Sequence, residues 1–280
     1  MSTSQERTWL DYPSEPGRRI GVRVERRIDD EGPSPVIVLC HGFKGFMDWG
    51  FFPSLSRRMA EAGFVAVSLN ASGCGVGDNP LEMDDESAFF QDTYTRQLED
   101  ISRVREFARE LPGVDPAREA LLGHSRGGGM CVLSAAKSPP TALVTWSAID
   151  DADRFDDAAK ARWRADGELC IPNGRTGQIH RLSTAALDDL EQHREQLDIL
   201  AAAARYPGPF LAIHGRDDAT VPWEAAERLA NRALKGSSFI VEAANHSFGA
   251  THPMTGAIPR PLEAAMSATD AHLQVLLRSD

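Results

Sequence analysis

The chain has 280 residues, 42% of them hydrophobic and 25% charged, with a formal net charge of −11. That length suits one large domain, or one domain carrying an insertion, with a sizeable buried core. The acidic balance argues against a nucleic-acid partner, which would ask for a basic patch or stripe, and against a polybasic membrane contact.

Residues 1–16 are polar and mixed in charge, without an apolar stretch behind a basic segment, so no ordinary secretory signal is expected there. Residues 18–28 alternate apolar and polar (Ile20, Val22, Val24), as a half-exposed strand does. Val36-Ile37-Val38-Leu39, entered through Pro33 and Pro35, is a buried strand. Residues 53–62 place Leu55, Met59 and Ala62 on one helical face, and Gly63 closes the helix. Residues 64–69 form the next buried strand, and 70–80, rich in Gly, Ser and Asn, form a loop. Leu98, Ile101, Val104, Phe107 and Leu111 mark a helix over 93–111, stopped by Pro112-Gly113. Ala120-Leu121-Leu122 is a strand, 127–137 a helix of small residues, and 142–146 another strand.

The alternation breaks at Asp150. From there to about Tyr206 the chain is acidic, helical in its second half, and without a buried-strand signal. Leu169-Cys170-Ile171 and Gln178-Ile179-His180 flank an Asn173-Gly174 turn and read as a small hairpin. Residues 184–205 read as one helix. This segment, 150–206, is expected to be an inserted lid within a single domain spanning 1–280. The rhythm resumes with a strand (209–213), a helix (223–234), a strand (238–241) and a helix (261–277). Strands alternating with helices predict an α/β fold, a doubly wound, mostly parallel sheet covered on both faces. No run approaches the apolar length that spans a bilayer, so no membrane partner is expected. Cys40, Cys74, Cys131 and Cys170 are scattered without C-x-x-C spacing, which makes a reducing cytoplasm the expected setting. Cys40 and Cys131 sit in apolar runs and are expected to be buried. Homo-oligomerisation stays open.

Chemistry concentrates at Gly123-His124-Ser125-Arg126-Gly127, directly after the strand 120–122. G-x-S-x-G between a strand and a helix sets one serine on a sharp turn, where a flanking side chain would collide with strand or helix. The hydroxyl then stands at the positive end of the following helix. A serine nucleophile needs a base, and the base needs an acid to fix its tautomer. Asp217 and Asp218 follow the strand 209–213, and His246 follows the strand ending at Val241. All lie at carboxyl ends of strands, where such sheets bind ligands.

The chain resembles the α/β-hydrolase fold, and within it the serine esterases and acyl-peptidase-like hydrolases. The matching pieces are H-G-F-x-G at His41 to Gly45, G-H-S-R-G-G at Gly123 to Gly128, H-G-x-x-D-x-x-V-P at His214 to Pro222, and N-H-S-F at Asn245 to Phe248. The resemblance implies Ser125 as nucleophile, Asp218 as acid and His246 as base. Asp217 competes for the acid, with the spacing to Val221-Pro222 favouring Asp218; Asp150 or Asp151 is a third candidate. It also implies an oxyanion hole from the backbone N–H groups of Phe43 and Arg126. The function implied is cofactor-free hydrolysis of a small-molecule carboxylic ester. Cinnamoyl- and feruloyl-type esterases carry a similar insert, which suggests an aromatic or short acyl group. A peptidase or amidase resembling prolyl-oligopeptidase-like domains is the alternative, although the large N-terminal propeller usual there is missing. Dienelactone hydrolases usually carry a cysteine at the position of Ser125 and haloalkane dehalogenases an aspartate. A non-catalytic binding protein on the same scaffold is the remaining class.

Several other features have plainer explanations. Gly73-Cys74-Gly75-Val76-Gly77 lacks the full G-x-G-x-x-G pattern and reads as a turn beside the site. His124 is expected to pack beneath the elbow, and His41 and His214 to be structural. The eight histidines show no metal-ligand spacing, so no metal is expected. Lys44 is expected to point to solvent, Arg126 to bind an acidic substrate or pair with a carboxylate, and Trp146, Trp163 and Trp223 to belong to core or pocket.

Overall fold

The computed structural model describes residues 2–29, 32–173 and 177–277. Its frame is an eight-stranded sheet in the order β1-β2-β4-β3-β5-β6-β9-β10. β3 (Ser34–Cys40), β4 (Val65–Asn70), β5 (Val114–His124), β6 (Ala142–Trp146), β9 (Pro209–Gly215) and β10 (Lys235–Val241) run parallel. β2 (Arg19–Arg27) joins β4 antiparallel, and β1 (Thr3–Asp11) joins β2 antiparallel.

Successive side chains on a strand face opposite ways, so a strand buried on both faces must be apolar throughout. β3 does this: Val36, Val38 and Cys40 enter one apolar layer, Ile37 and Leu39 the other. Onto the second layer pack Leu55 and Met59 of α1 (Phe52–Ala62) and Leu262 and Met266 of α9 (Arg260–Leu277). Gly63 ends α1 in a left-handed conformation, φ 104°. The first layer receives Leu98, Ile101 and Val104 of α3 (Tyr94–Arg109), Met130 and Leu133 of α4 (Arg126–Lys137) and Leu229 of α8 (Glu224–Arg232). Helices on both faces make this the doubly wound α/β sheet expected. Cys40, Cys74 and Cys131 are buried and Cys170 is exposed. Among the described residues no helix is long and apolar enough to cross a membrane.

Strand order reverses around β3. The chain runs through α1 to β4 on one side of β3, then returns through α3 to β5 on the other. The carboxyl ends of β3 and β5 therefore open into a crevice, the place where open α/β sheets bind ligands.

One expectation needs correction, and three elements carried no sequence reading. The polar start carries strand β1, an edge whose mostly exposed side chains left no apolar period to read. Residues 184–205 are two helices, α6 (Ala185–Gln192) and α7 (Ile199–Arg205), because Asp198 turns its carboxylate onto the amide of Ala201 and starts a new helix. α5 (Asp157–Asp166) occupies the first half of the 150–206 segment, capped by Asp156. A short α2 (Glu86–Phe90) interrupts the loop after β4 and packs against β8. The hairpin itself is present as β7 (Glu168–Pro172) and β8 (Ile179–Ser183), while Gly174, Arg175 and Thr176 of its turn lie outside the described residues.

Candidate active site

Ser125 sits between β5 and α4 with φ 55° and ψ −123°, a conformation costly for any residue with a side chain. The turn is held by its surroundings. The Ser125 amide donates to Trp146 O at 2.9 Å, and Ser125 O accepts from Gly128 and Gly129 at 3.0 and 3.2 Å. Glycine is required on both flanks, for a Cβ on Gly123 would lie 2.4 Å from Gly127 O, and one on Gly127 would lie 2.2 Å from His41 O. The loop after β3 is equally close, since a Cβ on Gly42 would come within 2.8 Å of Ser125 Cβ. That approach brings Phe43 and Lys44 to the rim of the serine; the Phe43 and Arg126 amides donate to no turn or loop carbonyl among the described residues.

His246, on the loop after β10, turns its Nδ1 to Asp218 Oδ2 at 2.7 Å. Asp218 is buried. Its Oδ1 accepts from the amides of Thr220 (2.8 Å) and Val221 (3.0 Å), and Oδ2 also meets His214 Nε2 at 3.1 Å. Burial alone would raise this carboxyl, but the hydrogen bonds from His214, His246 and Val221 outweigh it and hold Asp218 well below the usual carboxylate range. An ionised Asp218 accepts a proton-bearing Nδ1, leaving Nε2 of a neutral His246 as the acceptor nitrogen. The other acid candidates lie elsewhere. Asp217 is exposed, Asp150 receives Arg228 Nε at 2.5 Å, and Asp151 caps the amide of Asp153.

His124 packs against Phe51, with ring centroids 5.3 Å apart, and donates Nε2–H to His246 O at 2.9 Å. Burial and the neighbouring His246 push its pKa down to about 3. His41 donates Nδ1–H to Gly42 O at 2.8 Å and accepts the Ala71 amide on Nε2 at 3.1 Å; burial takes it down to about 4. Both imidazoles are thus neutral supports of the loops around Ser125.

Arg126 has a protein partner. Its Nη2 lies 2.5 Å from Asp92 Oδ2 and its Nε donates to Gln97 Oε1 at 2.8 Å, all three side chains buried. Gln97 in turn donates to His41 O at 3.2 Å, so one side chain on α3 ties the loop after β3 to the start of α4. The glycine loop at 73–77 serves this cluster: a Cβ on Gly73 would stand 2.5 Å from Asp92 Oδ1. Sequence reasoning missed Asp92, Gln97 and the His214–Asp218 contact. A buried arginine at the start of a small-residue helix signals that a carboxylate is needed, but not which of 41 acidic residues supplies it.

Two cavities meet at Ser125 and His246. One of about 280 Å³ is walled by Phe46, Trp49, Phe52 and Met83, with His252 and Asn173 at its edge. The other, of about 490 Å³, is walled by Phe43, Tyr94, Ile149, Phe155, Trp163 and Leu182. Lys44 is exposed as expected but lines both. The tryptophans divide: Trp163 lines the larger cavity, Trp146 is core, and Trp223 lies beneath Arg216 at the surface. Among the described residues no cluster of three or more His, Cys, Asp or Glu could hold a metal ion.

Comparison with known proteins bears on the family and the fold. The profile of the alpha/beta hydrolase family matches residues 37–256. An uncharacterized 31.7 kDa protein of the traX-finO intergenic region of Escherichia coli is 32% identical over 120 residues, 42% of this chain and 39% of its own length. The match thus spans about two fifths of that relative. Est1E from Butyrivibrio proteoclasticus, in a structure with ferulic acid bound, superposes with a TM-score of 0.74 at 18% identity, covering 96% of this chain and 99% of its own. The esterase domain of a Rhodothermus marinus protein superposes with a TM-score of 0.62 at 18% identity, covering 98% and 99%. Identities this low speak to the fold.

Proposed function

The chain belongs to the alpha/beta hydrolase family, and on that premise we propose that it is a serine hydrolase of carboxylic esters. The observation that carries the proposal is one piece of geometry. A serine on a left-handed turn and a histidine 2.7 Å from a buried carboxylate line the same cavity.

In this mechanism the Ser125 Oγ attacks the ester carbonyl carbon while its proton passes to His246 Nε2. Asp218 keeps the imidazole in the required tautomer and stabilises the imidazolium that forms. The amides of Phe43 and Arg126 receive the oxyanion of the tetrahedral intermediate. The ester C–O bond then breaks, and His246 returns its proton to the departing alcohol. Water attacks the acyl carbon, giving a proton to His246; that proton goes back to Ser125 Oγ as the free acid leaves. The steps balance without a cofactor. Residues 150–206 act as a lid within a single hydrolase domain, since Trp163 and Leu182 from that segment wall the larger cavity. The aromatic lining, and ferulic acid in Est1E, support an aromatic or short acyl group.

Purified protein assayed on p-nitrophenyl acyl esters and the matching p-nitroanilides tests the proposal. Esters should turn over with much the higher kcat/KM, and a fluorophosphonate should form an adduct on Ser125. Comparable efficiency on the anilides favours a peptidase or amidase. Absence of the adduct in folded protein favours a binding protein on this scaffold.

A further inference from the structure

We propose that the ester taken by this site is anionic: an aromatic ester that carries a free carboxylate. This rests on the ester-hydrolase function proposed above and adds the charge of the substrate.

The larger cavity at Ser125 inverts the sign of the molecule. The chain as a whole carries a formal charge of −11, yet every ionic side chain lining this cavity other than His246 is cationic, namely Lys44, Arg126 and Arg154. Among the described residues no aspartate or glutamate lines it. The distribution is not general, because a cleft of about 600 Å³ that does not reach Ser125 is lined by Asp150, Asp151, Asp153 and Asp198 against Arg194 and Arg228, four acids to two bases.

Of the three cations, Arg126 is engaged with Asp92 and Gln97. The other two have no carboxylate of their own among the described residues. Arg154 donates from Nη2 to Thr220 O at 2.5 Å, which fixes its guanidinium on the loop of Asp218 while leaving further N–H groups undirected. Its neighbour Asp153 pairs instead with Lys160 and Arg194. Lys44 makes no ion pair or hydrogen bond among the described residues, and its backbone is left-handed, φ 58°, where glycine or asparagine is the usual choice. Backbone strain of this kind persists where the surroundings hold it, and it clusters at ligand clamps. Two unneutralised cations above aromatic walls would steer and hold an aromatic body bearing a carboxylate, and would select against its neutral counterpart.

The test compares charged and neutral members of isosteric ester pairs with the full chain. p-Nitrophenyl 4-carboxybenzoate against the 4-carbamoylbenzoate puts the charge on the acyl side. 4-Acetoxybenzoate against 4-acetoxybenzamide puts it on the alcohol side. In one arm the anionic ester should lead in kcat/KM by about tenfold at low ionic strength, and the lead should shrink as added salt screens exposed charges. Lys44→Met with Arg154→Met should bring the ratio toward one, Lys44→Met alone should lower it partway, and Lys44→Arg should preserve it. A ratio at or below one in both arms overturns the inference, as does a ratio indifferent to salt and to the double substitution. Turnover of the neutral members in either case leaves the ester-hydrolase function standing. Failure of all four esters, with no fluorophosphonate adduct on Ser125, removes both.

Discussion

Asp218 receives four hydrogen bonds: two backbone amides on Oδ1, and the imidazoles of His214 and His246 on Oδ2. A carboxylate so surrounded stays ionised, and the ring it orients, His246, lines the cavity at Ser125. Asparagine would keep the shape but offer an N–H or a neutral oxygen to Nδ1, disturbing the tautomer that leaves Nε2 free. Asp218→Asn should therefore cut ester turnover by about a thousandfold or more. Asp217→Asn, at an exposed position one residue away, should change it little. A large loss in Asp217→Asn with activity retained in Asp218→Asn would reassign the acid. At this scale the spacing to Val221-Pro222, set against the family pattern, favours Asp218 over Asp217 without coordinates. Arg126 was not legible in the same way, because a charge's partner is decided by which distant loops fold onto it.

Among the elements, the turn from β5 into α4 is tightly constrained. Cβ atoms on Gly123 and Gly127 would fall within 2.4 and 2.2 Å of backbone oxygens, with no flexible side chain able to yield. Gly127→Ala should destabilise the protein by about 3 kcal/mol or more, through overpacking against the backbone of His41. Gly32→Ala, with nothing within 4 Å of a Cβ, should stay within about 0.5 kcal/mol of the wild type. Urea midpoints measure both, and equal midpoints would contradict the packing assigned to the turn. The strands and helices around this turn announced themselves because burial on two faces demands unbroken apolar runs, as in Val36-Ile37-Val38-Leu39. β1 gave no such signal, since an exposed edge strand needs none. The break between α6 and α7 was hidden for another reason. Asp198 caps a helix from inside a pattern that is otherwise helical on both sides.

Across the whole molecule, crossing from β4 back past β3 to β5 gathers the loop after β3 and the turn at Ser125 into one crevice, and β9 and β10 add Asp218 and His246. The order of the motifs along the chain made this assembly legible without coordinates, because each motif ends a strand of one parallel sheet. The walls of the cavities were less legible, since they combine Phe46 and Trp49 of the loop after β3, Phe52 of α1 and Met83 with Tyr94 of α3, Trp163 of α5 and Leu182 of β8, whose meeting depends on packing rather than local pattern. In the proposed reaction Ser125 carries the acyl group. Rapid mixing with a p-nitrophenyl ester, an acid quench and peptide mapping by mass would test it directly. The acyl mass should appear on the peptide bearing Ser125, formed with the first release of p-nitrophenolate, and be absent with Ser125→Ala. Undiminished ester turnover by the Ser125→Ala protein would contradict it.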